Sequence, residues 1–177
     1  MDLVDLIESK RFLGHEFLLW LWFEADRGGG VFGLGDAGEV SVAFDDQLVL
    51  EAYLAETEQS RLSGGAPAES PEARSALRAG KRVSKAKLRL RRGDREFVFA
   101  VDAADFSFAS VRVPAVLKGE DERLVERLAL IDELMELWRA LYREFLRLRL
   151  TDRWQATRRS LLVWAQGQAP GAAGGPR

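Results

Sequence analysis

The stretch 81-KRVSKAKLRLRRGDREFVFAVD-102 predicts two strands joined by a tight turn. Between residues 85 and 91, Lys or Arg alternates with Ala or Leu. A period of two is that of a β-strand with one cationic face and one apolar face. Gly93 lies where a hairpin turn needs a positive φ, and residues 96–102 alternate again behind it. The stretch therefore predicts an antiparallel hairpin.

Upstream of this hairpin, the sequence predicts one helix followed by short strands. Residues 2–26 carry apolar side chains near helical spacing, and the three glycines at 28–30 end the helix. Strands are predicted at 31–34, 39–44 and 47–55. Asp45 and Asp46 predict a turn between the last two strands. Residues 57–70 are polar and rich in Gly and Ala, which is typical of a loop.

The segments around and after the hairpin complete an α+β pattern. Ser70 and Gly80 are suited to cap a short helix between them. A third strand is predicted at 105–113, and apolar residues then recur with a period of 3.6. This second pattern predicts a long helix over about 120–165, with a break and a new N-cap at Thr151-Asp152.

We therefore expect one α+β domain over residues 1–166. It would be an antiparallel meander sheet with an N-terminal helix and a long C-terminal helix packed on it. Residues 167–177 are rich in Gly, Ala and Pro, which predicts a disordered tail.

The composition excludes several kinds of active site. The 177-residue chain has no Cys and a single His, His15, which excludes thiolate chemistry and metal sites built on several His or Cys ligands. Acid pairs such as Asp45-Asp46 lie where turns and helix starts favour acids for structural reasons. We expect a non-enzyme with no catalytic residues, no metal and no cofactor. The absence of Cys and of a long apolar run predicts a cytoplasmic protein without a membrane span.

Aromatic residues are concentrated in residues 17–23. Seven consecutive apolar residues point all round a helix, so core packing and contact with a partner are both open interpretations. The partner interpretation uses the N-terminal helix and the long helix. Its candidate residues are Trp20, Trp22, Trp138 and Tyr142.

The cationic face of the hairpin has two interpretations as well. Alternate strand residues lie about 7 Å apart, close to the spacing of phosphates along one DNA strand. The alternative is a solvated face whose cations pair with acids on neighbouring strands. The candidate DNA-binding residues are Lys81, Arg82, Lys85, Lys87, Arg89, Arg91 and Arg92. The net charge of −2 means that any phosphate binding must come from this local patch.

Residues 71–90 and 96–102 together resemble the C-terminal part of the recombination-associated protein RdgC family. That family has a similar short helix, an Ala-Gly-Lys-x-Val-x-Lys-x-x-Leu start to the next strand, and an apolar return strand. The Trp-containing helix and the strand pair at 31–42 are also similar, so the resemblance covers roughly residues 14 to 150. The residues that match the strand motif are Ala79, Gly80, Lys81, Val83, Lys85 and Leu88.

The resemblance implies a bacterial, nucleoid-associated protein. RdgC proteins form ring-shaped dimers, bind DNA with little sequence preference and modulate recombination. By resemblance, we expect sequence-independent binding to the DNA backbone, with a homodimer and a recombination protein as further partners. The alternative function is a protein-interaction or oligomerisation module that uses the Trp-rich N-terminal helix and the long C-terminal helix.

Overall fold

The computed structural model describes residues 13–52, 59–114 and 119–167. The helices are α1 (Gly14–Gly28), α2 (Pro71–Arg78), α3 (Glu120–Arg149) and α4 (Arg153–Ala165). The strands are β1 (Val31–Gly33), β2 (Glu39–Ala52), β3 (Gln59–Ser63), β4 (Lys81–Arg92), β5 (Arg95–Asp102) and β6 (Phe108–Arg112). The α+β class predicted from the sequence is confirmed.

The six strands form one antiparallel sheet in the order β1-β2-β4-β5-β6, with β3 also paired to β2. Along one edge, the long strand β2 pairs with β1 near its start and with β3 near its end. Along its other edge it pairs with β4. The predicted hairpin forms as expected, and Gly93 has a φ of 59° in its turn. Strand β4 therefore lies in the interior of the sheet.

The helices pack against one face of the sheet, the face that carries Leu88, Leu90 and Phe99. These three side chains are fully buried. Helix α1 contributes Phe17, whose ring lies 5.0 Å from that of Trp138 on α3. Burial of such apolar area is the main stabilising term of the fold. The opposite face of the sheet, called here the open face, carries Lys85, Lys87, Arg89 and Arg91 of β4.

The helix caps predicted from the sequence are found in the structure at α2 but not in full at α4. Ser70 Oγ accepts a hydrogen bond from the Ala73 N–H at 3.1 Å, and Gly80 has a φ of 81° after α2. These are the predicted N-cap and the predicted glycine stop. The predicted break at Thr151-Asp152 is present, since α3 ends at Arg149 and α4 begins at Arg153. Asp152 occupies the N-cap position, but its side chain makes no capping hydrogen bond and its backbone is already helical.

Two predicted boundaries within the sheet are also corrected. Asp45 and Asp46 do not form a turn, because β2 continues through them as a bulge in which residues 45–47 lie opposite Lys87. The predicted loop at 57–70 contains β3, which pairs with β2 from Gln47↔Ser63 to Glu51↔Gln59. The first part of the predicted 2–26 helix and residues 168–177 of the predicted tail lie outside the described residues.

A polar cluster joins three of the helices beneath the sheet. Asp26 at the end of α1 accepts a hydrogen bond from Trp164 Nε1 at 2.6 Å and pairs with Arg74 at 2.8 Å. The Arg74 guanidinium also lies 4.2 Å from the Trp164 ring centre. Burial raises the pKa of Asp26, but the hydrogen bonds from Trp164 and Arg74 outweigh it, so the pKa lies below its usual value.

Replacing Asp26 by Asn should lower the free energy of unfolding near pH 7 by about 1 kcal/mol, a value reduced for the partial exposure of the pair. A carboxylate with a lowered native pKa stabilises the fold above its unfolded pKa, and this contribution is lost as the pH falls through the native pKa. The difference between wild type and variant should therefore shrink below about pH 4. Urea unfolding at several pH values measures it.

Glu136→Gln is the matched control, since Glu136 makes an exposed ion pair with Arg139 on the same helix. It should leave the free energy of unfolding nearly unchanged. The account of Asp26 is contradicted if Asp26→Asn is as mild as this control, or if its effect is the same at pH 3 and pH 7.

Candidate interaction surfaces

The open face is built from cross-strand rows of side chains. One row runs from Arg61 through Val49 and Lys85 to Asp102, and another pairs Ser41, Arg91 and Glu96. Within the described residues no helix covers this face, and Lys85 and Arg91 are 57% and 58% exposed. The alternation in β4 thus places the predicted cations where the sequence indicated.

The predicted cations lie next to acceptors on adjacent elements. Their partners are Ser60 for Lys81 (3.0 Å), Glu51 for Arg82 (3.1 Å), Asp102 for Lys85 (2.7 Å), Asp45 for Arg89 (3.0 Å), Glu96 for Arg91 (2.8 Å) and Glu133 for Arg92 (3.3 Å). All but the first of these partners are carboxylates. The pairs of Lys85, Arg89 and Arg91 give the open face charge of both signs, which agrees with the solvated-face interpretation of the sequence. Arg92 instead pairs with α3, on the helix-covered side.

Lys87 differs from the other cations because it is only 7% exposed. Its Nζ lies 2.8 Å from Asp46 and 3.4 Å from Asp45, so the β2 bulge wraps two carboxylates around one ammonium group. The hydrogen bond with Asp46 raises the pKa of Lys87, and the same bond lowers the pKa of Asp46. Lys87 therefore stabilises the β2 bulge through its two ion pairs, and its burial leaves it poorly placed to contact a phosphate.

A depression of about 430 Å³ lies on the open face beside Lys87. It is lined by the small side chains Val49, Ala100 and Ala109 together with the long side chains Arg61 and Lys85. Small residues set among long ones produce this shape.

The aromatic residues predicted as a partner surface are buried. Trp20, Trp22, Trp138 and Tyr142 are all at most 5% exposed. The prediction that these side chains form a surface is corrected: all four lie in the core between the sheet and the helices, where their large apolar area is removed from water. Trp22 also donates a hydrogen bond from Nε1 to the Ala68 carbonyl at 3.1 Å.

The candidate chemical groups have structural partners. His15 Nδ1 lies 2.8 Å from the Val83 carbonyl, which ties α1 to β4. Asp102 and Asp105 each accept a hydrogen bond from a backbone N–H two residues on, as turn aspartates do. No three His, Asp or Glu residues are grouped as a metal site in the part of the chain that the structure describes. None of the described helices is long and apolar enough to cross a membrane.

The surface that the sequence analysis missed lies at the start of α3. Leu124, Val125 and Leu128 are 63%, 68% and 54% exposed, although Leu124 and Leu128 belong to the same apolar stripe as buried Trp138 and Val125 lies beside it. We call these three residues the helix-start patch. The stripe runs 124, 128, 131, 135, 138, 142 and 145, which is the alternating four-three spacing of a heptad repeat. This heptad spacing is the feature of the sequence that could have indicated a contact surface at the start of α3.

No protein-family model matches this chain, and no curated protein matches it. The resemblance to RdgC consequently depends on the strand motif and the order of elements given above, and it stays a prediction.

Replacing Lys87 by Met should destabilise the protein more than replacing Arg91 by Met. The first change leaves Asp45 and Asp46 adjacent without their buried cation, whereas Arg91 is more than half exposed. Because Lys87 lowers the pKa of Asp46, the deficit of the variant should shrink as the pH falls below about 4 and Asp46 becomes protonated. Urea unfolding of both variants measures this, and equal effects at every pH would contradict the role assigned to Lys87.

Proposed function

We propose that this chain is a protein-interaction module that docks its partner on the helix-start patch. The observation that carries the proposal is the exposure of Leu124, Val125 and Leu128 on successive turns of one helix. Single exposed leucines are ordinary, but neighbouring apolar side chains in one stripe are typical of a contact surface. Of the two surfaces in the interaction-module alternative, this proposal uses the long helix. The buried tryptophans of the N-terminal helix take no part in it.

The patch continues a stripe whose other end is fully packed. Ile131 and Met135 are partly buried, and Trp138 and Tyr142 are covered by the core. The first turns of α3 are thus an apolar helix surface held by a helix that the rest of the domain anchors. An anchored helix start is already ordered, so a partner gains apolar contact without the full cost of forming that helix.

Other exposed apolar side chains lie apart from this stripe. Val31 is on β1, Leu150 follows α3, and Leu162 is on α4. Leu162 is 49% exposed, close to the exposure of Leu128. It therefore provides a matched control for tests of the patch.

A photoreactive phenylalanine analogue at position 128 should form a covalent adduct in cells of the native host. The expected result is one dominant adduct, because a docked partner places the same side chains next to the probe in every complex. Denaturing gels and mass spectrometry of the purified adduct measure its mass and composition.

The same probe at position 162 is the control and should give no dominant adduct. Equal, diffuse labelling at positions 128 and 162 would overturn the proposed docking surface.

A second candidate function is sequence-independent DNA binding by the open face. It is favoured by an observation of its own: Lys85, Arg89 and Arg91 have half-exposed side chains in a row on a face that no described helix covers. Exposed ion pairs are worth only about 0–1 kcal/mol, so a phosphate can replace a carboxylate partner at modest cost. The resemblance to RdgC points to the same function.

The carboxylates next to these cations limit the affinity that the open face can have for DNA. Asp45 and Asp46 lie among the cations and repel a phosphate backbone. If about five phosphate contacts formed, the logarithm of affinity would fall against that of salt with a slope of about −4.5. A surface neutralised by its own acids gives a shallower slope.

Fluorescence anisotropy with a labelled random duplex at several salt concentrations tests this candidate. Glu96→Gln should tighten binding at low salt and steepen the slope, because it removes a carboxylate beside Arg91 and leaves the partners of buried Lys87 in place. The triple variant Lys85→Glu/Arg89→Glu/Arg91→Glu should abolish DNA binding. Lys87 is left unchanged in this variant because it holds the β2 bulge together. Glu136→Gln is the charge control. Absence of binding by folded wild type and by folded Glu96→Gln would remove DNA binding as a function of this face.

A further inference from the structure

We infer that the partner docked on the helix-start patch is a second copy of this chain, paired with it as parallel helices in the same register. This inference rests on the proposed function and names its partner. Two properties of α3 lead to it: the self-complementary spacing of the apolar stripe, and the charges that flank it.

The apolar stripe is suited to pair with itself. Leu124, Leu128, Ile131 and Met135 occupy alternating d and a positions of a heptad repeat. In a parallel pair each of these residues meets its own equivalent, so four layers of apolar side chains close against one another. Val125 at the e position, 68% exposed, adds apolar area beside the Leu128 layer.

The extent of the seam is set by the domain itself. Trp138 lies against Phe99, Phe106 and Phe108, with ring centres 5.5–5.7 Å away. The stripe below Met135 is therefore already filled from within the chain, and pairing is confined to the first half of α3. An isolated helix of that length would be marginal in water, but here the folded domain anchors it.

The flanking charges favour the parallel arrangement. Arg127 occupies a g position and Asp132 the e position five residues later, the two positions that face each other across a parallel pair. Both side chains are exposed, and neither forms an ion pair with another described residue. Twofold symmetry would form the Arg127–Asp132 contact twice. In an antiparallel pair g faces g, so Arg127 would meet Arg127 or Leu134 and the complementarity would be lost.

Cysteine cross-linking tests the register directly, because the chain has no cysteine of its own. In the parallel pair, Leu124→Cys places two thiols in the same layer, within the roughly 6 Å between Cα atoms that a disulfide needs. The antiparallel alignment that matches the same four layers separates them by roughly 16 Å along the helix. Mild oxidation should convert most of Leu124→Cys, and little of Leu162→Cys, into covalent dimer.

A charge exchange provides an independent readout in solution. Arg127→Asp and Asp132→Arg should each weaken dimerisation roughly tenfold, since each creates two like-charge contacts. The double variant should restore wild-type affinity, measured by sedimentation equilibrium. Effects that add in the double variant, or equal cross-linking of Leu124→Cys and Leu162→Cys, would overturn the parallel pair.

The outcomes also separate this inference from the proposed function. A photo-adduct at position 128 with twice the mass of the chain supports both. An adduct with a different protein, together with a wild type that sediments as a monomer, overturns self-pairing and keeps the docking surface. The absence of a dominant adduct overturns both.

Discussion

The structure depends on how the second half of α3 is held. Phe17 of α1 lies at the centre of this contact, with ring centres 5.0 Å from Trp138, 5.0 Å from Tyr142 and 5.4 Å from Phe145. Phe106 and Phe108 cover the same stripe from the sheet side. Close packing of this kind fixes one arrangement of helix and sheet. Since the core contact of α3 begins at Leu130, the start of the helix is left with exposed apolar side chains.

The two faces of the sheet are stabilised by different interactions, apolar burial on one and ion pairing on the other. The helix-covered face removes Leu88, Leu90 and Phe99 from water, which stabilises the fold. The open face holds like charges in a row, and acids from adjacent strands relieve their repulsion. The β2 bulge is the strongest instance, because it places Asp45 and Asp46 around Lys87. Charge on this face is therefore mostly balanced, while the uncovered apolar area is at the start of the long helix.

Much of the fold could be predicted from local patterns, and the errors have identifiable causes. The alternation in β4 and the Ser70 cap are local signals, and both gave the correct element. The Asp45-Asp46 pair has the composition of a turn, but pairing with β4 on one side and β3 on the other keeps the strand continuous through a bulge. Strand β3 is polar and short, so its existence depends on its neighbour β2 and not on its own propensity.

The candidate surfaces were harder to predict, because exposure is a tertiary property. Lys85, Lys87, Arg89 and Arg91 were placed on the correct face, but the acids that neutralise them come from β2 and β5. The tryptophans belong to an apolar stripe, and the sequence does not say which part of that stripe the domain covers. The heptad spacing that continues to Leu124 is visible in the sequence, whereas the exposure of its first two turns follows only from where Phe17 and Phe106 pack.

Amide hydrogen exchange at low and high protein concentration tests the central claim most directly. The start of α3 is uncovered in a single chain, and in the proposed pair a second chain covers it. Exchange of the amides in residues 122–131 should slow as concentration rises, because pairing opposes opening of those turns. Residues 138–146, already packed in the core, should exchange at a constant slow rate. Exchange over 122–131 that does not change with concentration would contradict the claim.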